Sequence, residues 1–190
     1  ARRQRQMCIR DSCFSEEAPA QLVAAGIDCI EHGTGLTDET IELMASRQVA
    51  LVPTLVNIQT FPNIAARAET RYPVYAAHMR SLYHRHVETV GKAVDAGVPV
   101  YAGTDAGGTI AHGQIPTEIR LLSQLRDPLF GLGAASWRAR SWLTGDQAAA
   151  GLGVGAAADL LVLDADPRRD VRAIAHPTFV VLRGRVLRDR

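Results

Sequence analysis

Apolar and polar positions alternate regularly from Ser15 onward, and the pattern predicts helices and short buried strands in turn. Glu16–Ala25 is predicted as a helix that ends before Gly26, a residue type that commonly follows the last helical turn. Ile27–Glu31 is the short buried strand predicted next. A second helix is predicted to begin after Thr37, whose hydroxyl can accept a hydrogen bond from a first-turn backbone amide.

This second helix is predicted over the segment DETIELMASR. Asp38 and Glu39 lie in its first turn, where negative charge suits the positive end of the helix dipole. Its apolar residues Ile41, Met44 and Ala45 are three and four positions apart, so they share one face of the helix.

The alternation continues with two more strand candidates and two more helical regions. Val49–Leu55 and Val98–Ala102 are short apolar runs of strand length. Between them, Asn63–Ala96 is predicted to be mostly helical with a break near Pro73. Pro116 is expected at the first position of a further helix, IPTEIRLLSQL. Strands and helices that alternate in this way, with nearly continuous apolar strands, predict an α/β fold whose parallel sheet is covered by helices.

After about Trp142 the pattern changes to that of a small β structure. Glycines at alternate positions from 151 to 155 suggest a loose linker, and Asp159–Asp164 is predicted as a strand. Phe179–Arg183 and Arg185–Leu187 are predicted as a tight hairpin around Gly184. The chain therefore divides into an α/β part over residues 13–145 and a smaller β part over residues 146–190.

Composition and charge exclude several classes of protein. The 190 residues are 47% hydrophobic and 22% charged, values typical of a soluble globular domain rather than of a disordered chain. A net charge of +1 does not predict binding to nucleic acid or to an anionic membrane. No apolar run is long enough to span a membrane. Three cysteines without close pairing fit a reducing compartment, so a cytoplasmic location is expected.

Residues 1–12 depart from the rest of the chain. They are rich in arginine and lack the apolar core of a signal peptide; the arginines are Arg2, Arg3, Arg5 and Arg10. A basic arm for nucleic acid is one interpretation, but the segment has no interleaved aromatic residues. We interpret residues 1–12 as a segment foreign to the fold, similar to translated adapter or assembly-junction sequence.

Two ionisable residues follow predicted strands directly. His32 comes at the end of one strand, and Asp105 follows the run VPVYA. Catalytic groups of parallel α/β folds lie at the carboxyl ends of their strands, where a carboxylate can bind a metal or accept a proton. Structural roles are the alternatives: a capping or core histidine for His32, and a turn or helix cap for Asp105.

The segment GTDAGGTIAHG allows two further interpretations. Its glycines could cradle a phosphate with backbone amides, although the lysine and spacing of a P-loop are missing. His112 could contact a substrate, whereas a solvated loop histidine is the alternative. The histidines of HMRSLYHRH lack a common face, so His78, His84 and His86 are expected on a solvated helix surface.

Three motifs in order resemble the C-terminal half of the amidohydrolase superfamily. They are CIEHGTGLTDETIELMASRQVALVPTL, GVPVYAGTDAGG, and AADLLVLDADP followed by VVLRGRV. Within the superfamily, the segment from Ser15 to Leu187 is most similar to imidazolonepropionase-like and prolidase-like metal-dependent hydrolases. The resemblance implies a metal-dependent hydrolase of carbon–nitrogen bonds in amides, dipeptides or cyclic amides.

The resemblance also implies a partial (β/α)8, TIM-type barrel followed by part of a small β-sandwich. His32 would be a metal ligand on the sixth strand, and Asp105 a metal ligand and general base after the eighth. His112 is our candidate for substrate contact. One or two divalent cations, zinc first among them, would be the cofactor, and a small molecule the substrate.

The sequence also departs from the family pattern. It lacks the family's His-x-His pair, its bridging lysine and its fifth-strand histidine, and MCIRDSCF occupies the place expected for that histidine. We therefore expect a chain truncated inside the barrel, whose alternative interpretation is a catalytically inactive fragment or pseudoenzyme of the same fold. The open strand edges of a half barrel would favour self-association, so a homo-oligomer is left open.

Overall fold

The computed structural model describes residues 9–147 and 151–189. The chain divides into two units, Ala1–Tyr101 and Ala102–Arg190. Residues 1–8 of the segment that the sequence suggested to be foreign lie outside the described residues, as do residues 148–150 of the predicted second part. None of the described helices is long and apolar enough to cross a membrane.

The first unit contains a parallel three-stranded sheet in the order β1-β2-β3. Its strands are β1 (Arg10–Cys13), β2 (Cys29–His32) and β3 (Ala50–Val52). Helices lie between and after them: α1 (Ala18–Ala24), α2 (Asp38–Arg47), α3 (Leu55–Ile58), α4 (Phe61–Ala68) and α5 (Pro73–Asp95). The predicted α/β class with a parallel sheet is therefore confirmed, as is the interruption of the long helical region at Pro73.

Helix α2 follows the predicted capping pattern. The Thr37 hydroxyl accepts a hydrogen bond from the Thr40 amide at 3.3 Å, and the two acidic residues occupy the first turn. Ile41 and Met44 are buried on its inner face, and Ala45 is partly buried beside them. The helix ends where Gln48 adopts a left-handed backbone conformation.

The strand predicted over Val98–Ala102 is reduced to a single parallel bridge between Val100 and Leu51. The Leu51 amide donates to the Pro99 carbonyl at 2.8 Å, and the Tyr101 amide donates to the Leu51 carbonyl at 3.0 Å. Pro99 has no amide hydrogen, so the ladder cannot extend through it. The prediction of a full strand here was wrong.

Residues 10–12 belong to the segment interpreted as foreign, yet they pair with β2. Arg10 lies opposite Cys29 in this parallel ladder, and Ser12 lies opposite Glu31. The ladder is supported before its start by the Ile9 amide, which donates to an Asp28 carboxylate oxygen at 2.8 Å. These residues therefore take part in the sheet.

The core of the first unit lies between the sheet and its helices. Helix α5 packs against α2 and α4. The side chains that fill this core are almost fully buried: Val23, Ile30, Met44, Leu51, Ile58, Phe61, Met79, Leu82 and Val90. Burial of so many large apolar side chains makes this unit the main source of hydrophobic stabilisation.

The second unit contains helices α6 (Ile115–Leu125), α7 (Pro128–Ala135) and α8 (Trp137–Thr144), followed by a short 3₁₀ helix, Val171–Ala175. An antiparallel sheet is formed by β4 (Leu160–Val162), β5 (Phe179–Leu182) and β6 (Arg185–Asp189). The predicted hairpin around Gly184 is thus confirmed. Neither α7 nor α8 was predicted.

Candidate functional site

His32 is the last residue of β2 and is nearly buried, with 4% of its surface exposed. Its φ of 67° is in the left-handed region, as is the 60° of Gly33 after it, so the chain turns sharply at the strand end. The His32 ring Nδ1 lies 2.6 Å from the Thr54 hydroxyl oxygen, a hydrogen bond between the ends of neighbouring strands. This bond fixes the orientation of the imidazole.

The His32 imidazole also packs against an aromatic side chain, Phe14, which in turn packs against Phe61. The centroid of the Phe14 ring lies 4.7 Å from that of His32, and Phe61 meets Phe14 edge-on at 5.1 Å. The Nε2 atom of His78 lies 3.3 Å from the Phe14 carbonyl oxygen. Residues from β2, from α4 and α5, and from the segments after β1 and β3 therefore build one cluster around His32.

The three histidines of α5 differ in their surroundings. His84 is exposed, as predicted. His78 is half-buried by its contact with Phe14, and His86 is half-buried, bonded to the Tyr83 carbonyl and stacked on its ring. The prediction of a solvated surface was therefore wrong for His78 and His86, because their partners lie on a distant segment and on the preceding turn.

Cys13 stands directly opposite His32 in the β1–β2 ladder and is buried. The pKa of its thiol is raised above the ordinary value, mainly because the thiol is buried. Glu31 is partly buried and pairs with Arg10 at 3.3 Å, a structural rather than a catalytic contact.

Asp105 and His112 belong to one loop of the second unit. Asp105 is exposed and has a φ of 51°, a left-handed conformation that Asp and Asn adopt more readily than most residues. The Gly107 amide donates to the Ile110 carbonyl at 3.0 Å, which folds the loop back on itself. A Cβ at Gly107 would lie 3.8 Å from His112 Cε1, so the imidazole lies beside this glycine.

This loop geometry also bears on the phosphate interpretation. A phosphate cradle needs backbone amides that point at the ligand. The Gly107 amide is instead used within the loop by its bond to Ile110. The Gly107 amide is therefore not available to a phosphate.

The donors that could hold a metal are divided between the units: His32 lies in the first, and Asp105 with His112 in the second. Among residues 9–147 and 151–189, no group of three or more His, Cys, Asp or Glu side chains is arranged to hold a metal ion. His32 by itself fits a metal ligand, because a hydrogen bond to one ring nitrogen is the usual support for a ligand histidine. The described residues therefore provide single donors and not a complete centre.

The sequence did not point to the residues that surround His32. Phe14 follows β1 directly and Thr54 follows β3 by two positions, and this nearness to strand ends is the sequence signal that could have found them. Thr34 is also fully buried, and its hydroxyl oxygen has no hydrogen-bond partner among the described residues. Glu118, on the first turn of α6, is the one fully buried carboxylate of the described chain.

Replacement of Thr54 by valine is expected to destabilise the chain by about 1–3 kcal/mol, because it leaves a buried His32 nitrogen without its hydroxyl partner. Valine keeps the size and branching of threonine, so packing changes little. Urea denaturation measures the change in the free energy of unfolding. Thr54→Ser restores the hydroxyl and should recover most of the loss; equal losses in both variants would contradict the role of the hydrogen bond.

The family model that matches this chain is the amidohydrolase family, over residues 13–187. An uncharacterized protein of Mycobacterium tuberculosis strain H37Rv is 54% identical over 173 residues, which are 90% of this chain and 45% of that protein. An uncharacterized protein of Mycobacterium bovis matches with the same identity and coverage. The chain thus spans a little under half the length of these relatives.

Solved structures agree with the family match. A prolidase complexed with N-methylphosphonate-L-proline superposes with a TM-score of 0.81 and 26% identity, over 95% of this chain and 45% of that one. An amidohydrolase superposes with a TM-score of 0.80 and 26% identity, over 98% of this chain and 46% of that one. Because the family model covers nearly the whole chain, the resemblance found in the sequence is confirmed, and the chain belongs to the amidohydrolase family.

Proposed function

We propose that the whole protein is a metal-dependent hydrolase of carbon–nitrogen bonds in amides, dipeptides or cyclic amides. The observation that carries the proposal is His32, a buried strand-end imidazole whose Nδ1 is held 2.6 Å from the Thr54 hydroxyl, in a chain of the amidohydrolase family. The prolidase bound to N-methylphosphonate-L-proline supports a substrate with an amide bond.

The proposed architecture places this chemistry at one end of a barrel. The parallel sheet β1–β3 would be part of a (β/α)8 barrel, and β4–β6 part of a β-sandwich. In such barrels the active site lies at the carboxyl ends of the strands. His32 ends β2, and Thr54 follows β3 by two positions, which is the expected placement for an active-site histidine and its support.

His32 would hold a divalent cation, zinc in our proposal, through the ring nitrogen that does not face Thr54. Asp105 would supply a second ligand. A divalent cation at such a site lowers the pKa of water towards neutrality and polarises a carbonyl.

The residues of this chain then have distinct roles in the reaction. Asp105 takes a proton from the attacking water as an oxygen–carbon bond forms at the amide carbonyl. It then delivers that proton to the nitrogen as the carbon–nitrogen bond breaks, so that acid and amine are released. His112, in the same loop as Asp105, would contact the substrate, a small molecule.

A second candidate is that the 190 residues alone form a catalytically inactive fragment of this fold. The absence of a cluster of three metal-binding side chains among the described residues favours it for the isolated chain. Exposed apolar side chains on β4–β6 would also promote self-association: Leu161, Val162, Leu182, Val186 and Leu187. We further propose a cytoplasmic protein without a nucleic-acid or membrane partner.

Metal analysis of two purified proteins tests these candidates. One is the 190-residue chain, and the other is the product of the uninterrupted genomic reading frame that contains it. We expect bound zinc and hydrolysis of a panel of Xaa-Pro dipeptides and N-acyl amino acids only in the second. Stoichiometric, tight zinc in the first would overturn the fragment interpretation, and a metal-free, fully active second protein would overturn the proposed function.

Replacement of His32 by asparagine in the product of that reading frame is expected to reduce its bound zinc to a small fraction, because a neutral imidazole is a far stronger zinc ligand than an amide. His84→Asn is the matched control, since His84 is exposed on α5 away from the His32 cluster. Elemental analysis of both variants gives the result. Equal zinc contents in the two variants would remove His32 from the proposed ligand set.

A further inference from the structure

The turn that follows His32 contains a buried hydroxyl without a partner. Thr34 is fully buried, and none of the described residues forms a hydrogen bond with its hydroxyl oxygen. Such a hydroxyl weakens the folded state by about 5- to 150-fold in the equilibrium constant of unfolding. Valine has nearly the same shape without the hydroxyl, so position 34 carries threonine at a cost to the stability of the chain.

The backbone of the same turn is also in an uncommon conformation. His32 has a φ of 67°, in the left-handed region that residues other than glycine seldom adopt. Such conformations persist only where the surrounding structure holds them, and they cluster at ligand sites. The turn that carries the candidate metal ligand therefore combines a strained backbone at His32 with an unpaired hydroxyl two positions later.

The backbone amide of Leu36 is a suitable partner for this hydroxyl. Threonine hydroxyls can accept a hydrogen bond from the amide two positions further along the chain. In this structure the Leu36 amide donates to the Gly33 carbonyl at 3.2 Å, at the long end of the normal range. One amide hydrogen can be shared between two acceptors. A small change in the turn would therefore satisfy the Thr34 hydroxyl without loss of the existing bond.

We propose that Thr34 is a positioning residue for His32, and that its hydroxyl accepts from the Leu36 amide only when the imidazole holds a divalent cation. This inference rests on the proposed function, which assigns the cation to His32. In the empty site the hydroxyl is unpaired. In the loaded site its hydrogen bond fixes the turn two positions after the ligand. Because the bond belongs to the loaded state alone, it adds to the affinity for the cation.

The first test is the stability of the 190-residue chain in EDTA. Thr34→Val is expected to lower the equilibrium constant of unfolding by about 5- to 150-fold, because valine fills the same space without an unpaired hydroxyl. Urea denaturation measures this change. Thr54→Val should act in the opposite direction, since the Thr54 hydroxyl is already bonded to His32. A Thr34→Val chain no more stable than the original would overturn the proposal.

The second test is the affinity for zinc of the product of the uninterrupted reading frame, measured by competition with a chelator. Thr34→Val should weaken zinc binding by about fivefold or more, because the loaded state loses its additional hydrogen bond. Thr34→Ser keeps the hydroxyl and should remain within about twofold of the original affinity. A Thr34→Val protein with unchanged zinc affinity, or an equal loss in the serine variant, would overturn the positioning role.

Thr89→Val is the control for removal of a buried threonine hydroxyl. Thr89 is buried on α5, outside the cluster around His32, so its replacement should leave the zinc affinity within about twofold. A loss equal to that of Thr34→Val would contradict a specific role of Thr34.

These results separate the inference from the proposed function. Amide hydrolysis by a zinc-loaded protein whose zinc affinity does not depend on the hydroxyl at position 34 would overturn only the positioning role. A full-reading-frame protein that binds no zinc would overturn the proposed function, and the positioning role with it.

Discussion

Replacement of Asp105 by asparagine is expected to lower the kcat of the product of the full reading frame by a factor of about 10²–10⁴, the usual contribution of a general acid–base group. The carboxylate is proposed to take a proton from water and to return it to the leaving nitrogen. An amide can do neither at neutral pH. The loss should therefore appear in kcat for every substrate of the panel, including the one that binds best.

The backbone conformation at position 105 can accommodate asparagine as well as aspartate. Asp105 has a φ of 51°, and asparagine adopts this left-handed conformation as readily as aspartate does. The side chain is also exposed, so little packing is lost.

Asp95→Asn controls for the removal of one negative charge, because Asp95 is exposed at the last position of α5. It should leave kcat within about twofold of the original value, as is typical of a substitution remote from the reacting atoms. Full activity of the Asp105 variant, or an equal loss in both variants, would show that Asp105 is not the general base.

Local signals predicted the elements that depend on local interactions. The sequence placed α2 over its observed bounds because its capping residue, its acidic first turn and its apolar face are all encoded within eleven consecutive residues. The hairpin around Gly184 was predictable for a similar reason, since its turn residue has a φ of 75° that glycine adopts without strain.

Elements that depend on partners elsewhere were less predictable. A full strand over Val98–Ala102 would need a continuous series of backbone hydrogen bonds to β3. The Pro99 carbonyl accepts one from the Leu51 amide, but Pro99 has no amide hydrogen to donate. Helix α7 was missed because PLFGLGAA has no amphipathic pattern. Its start is nevertheless encoded, because the Asp127 carboxylate accepts a hydrogen bond from the Phe130 amide at 2.7 Å.

In the candidate site, too, some features follow from the local sequence and others depend on distant partners. The strand-end position of His32 followed from the apolar run before it, and the structure agrees. The partners of its ring could not be read from the pattern: Thr54 is 22 positions away along the chain, and the contact of Phe14 with His78 joins residues 64 positions apart. Such contacts are set by how the strands and helices pack, which one-dimensional periodicity does not contain.

Replacement of Gly35 by alanine is expected to destabilise the chain by about 3 kcal/mol or more, as severe overpacking does. A Cβ at this position would lie 2.1 Å from the Ser15 carbonyl oxygen and 2.5 Å from its carbon. Both atoms belong to the backbone between β1 and α1, so no side-chain rotation can relieve the clash. Gly35 follows His32 by three positions, and its close approach to Ser15 holds the turn after β2 against the turn after β1.

Gly91→Ala is the matched substitution at a glycine without such a neighbour. Gly91 lies inside α5, and no atom beyond the helix backbone lies within 4 Å of the place that an alanine methyl group would occupy. Alanine should therefore stabilise the chain by about 0.5–1 kcal/mol, through its higher helix propensity. Urea denaturation of both variants should thus give shifts of opposite sign, and the larger shift should be at position 35. A Gly35→Ala variant as stable as the original chain would mean that the turns after β1 and β2 separate freely, and the cluster that holds His32 would then lack its rigid support.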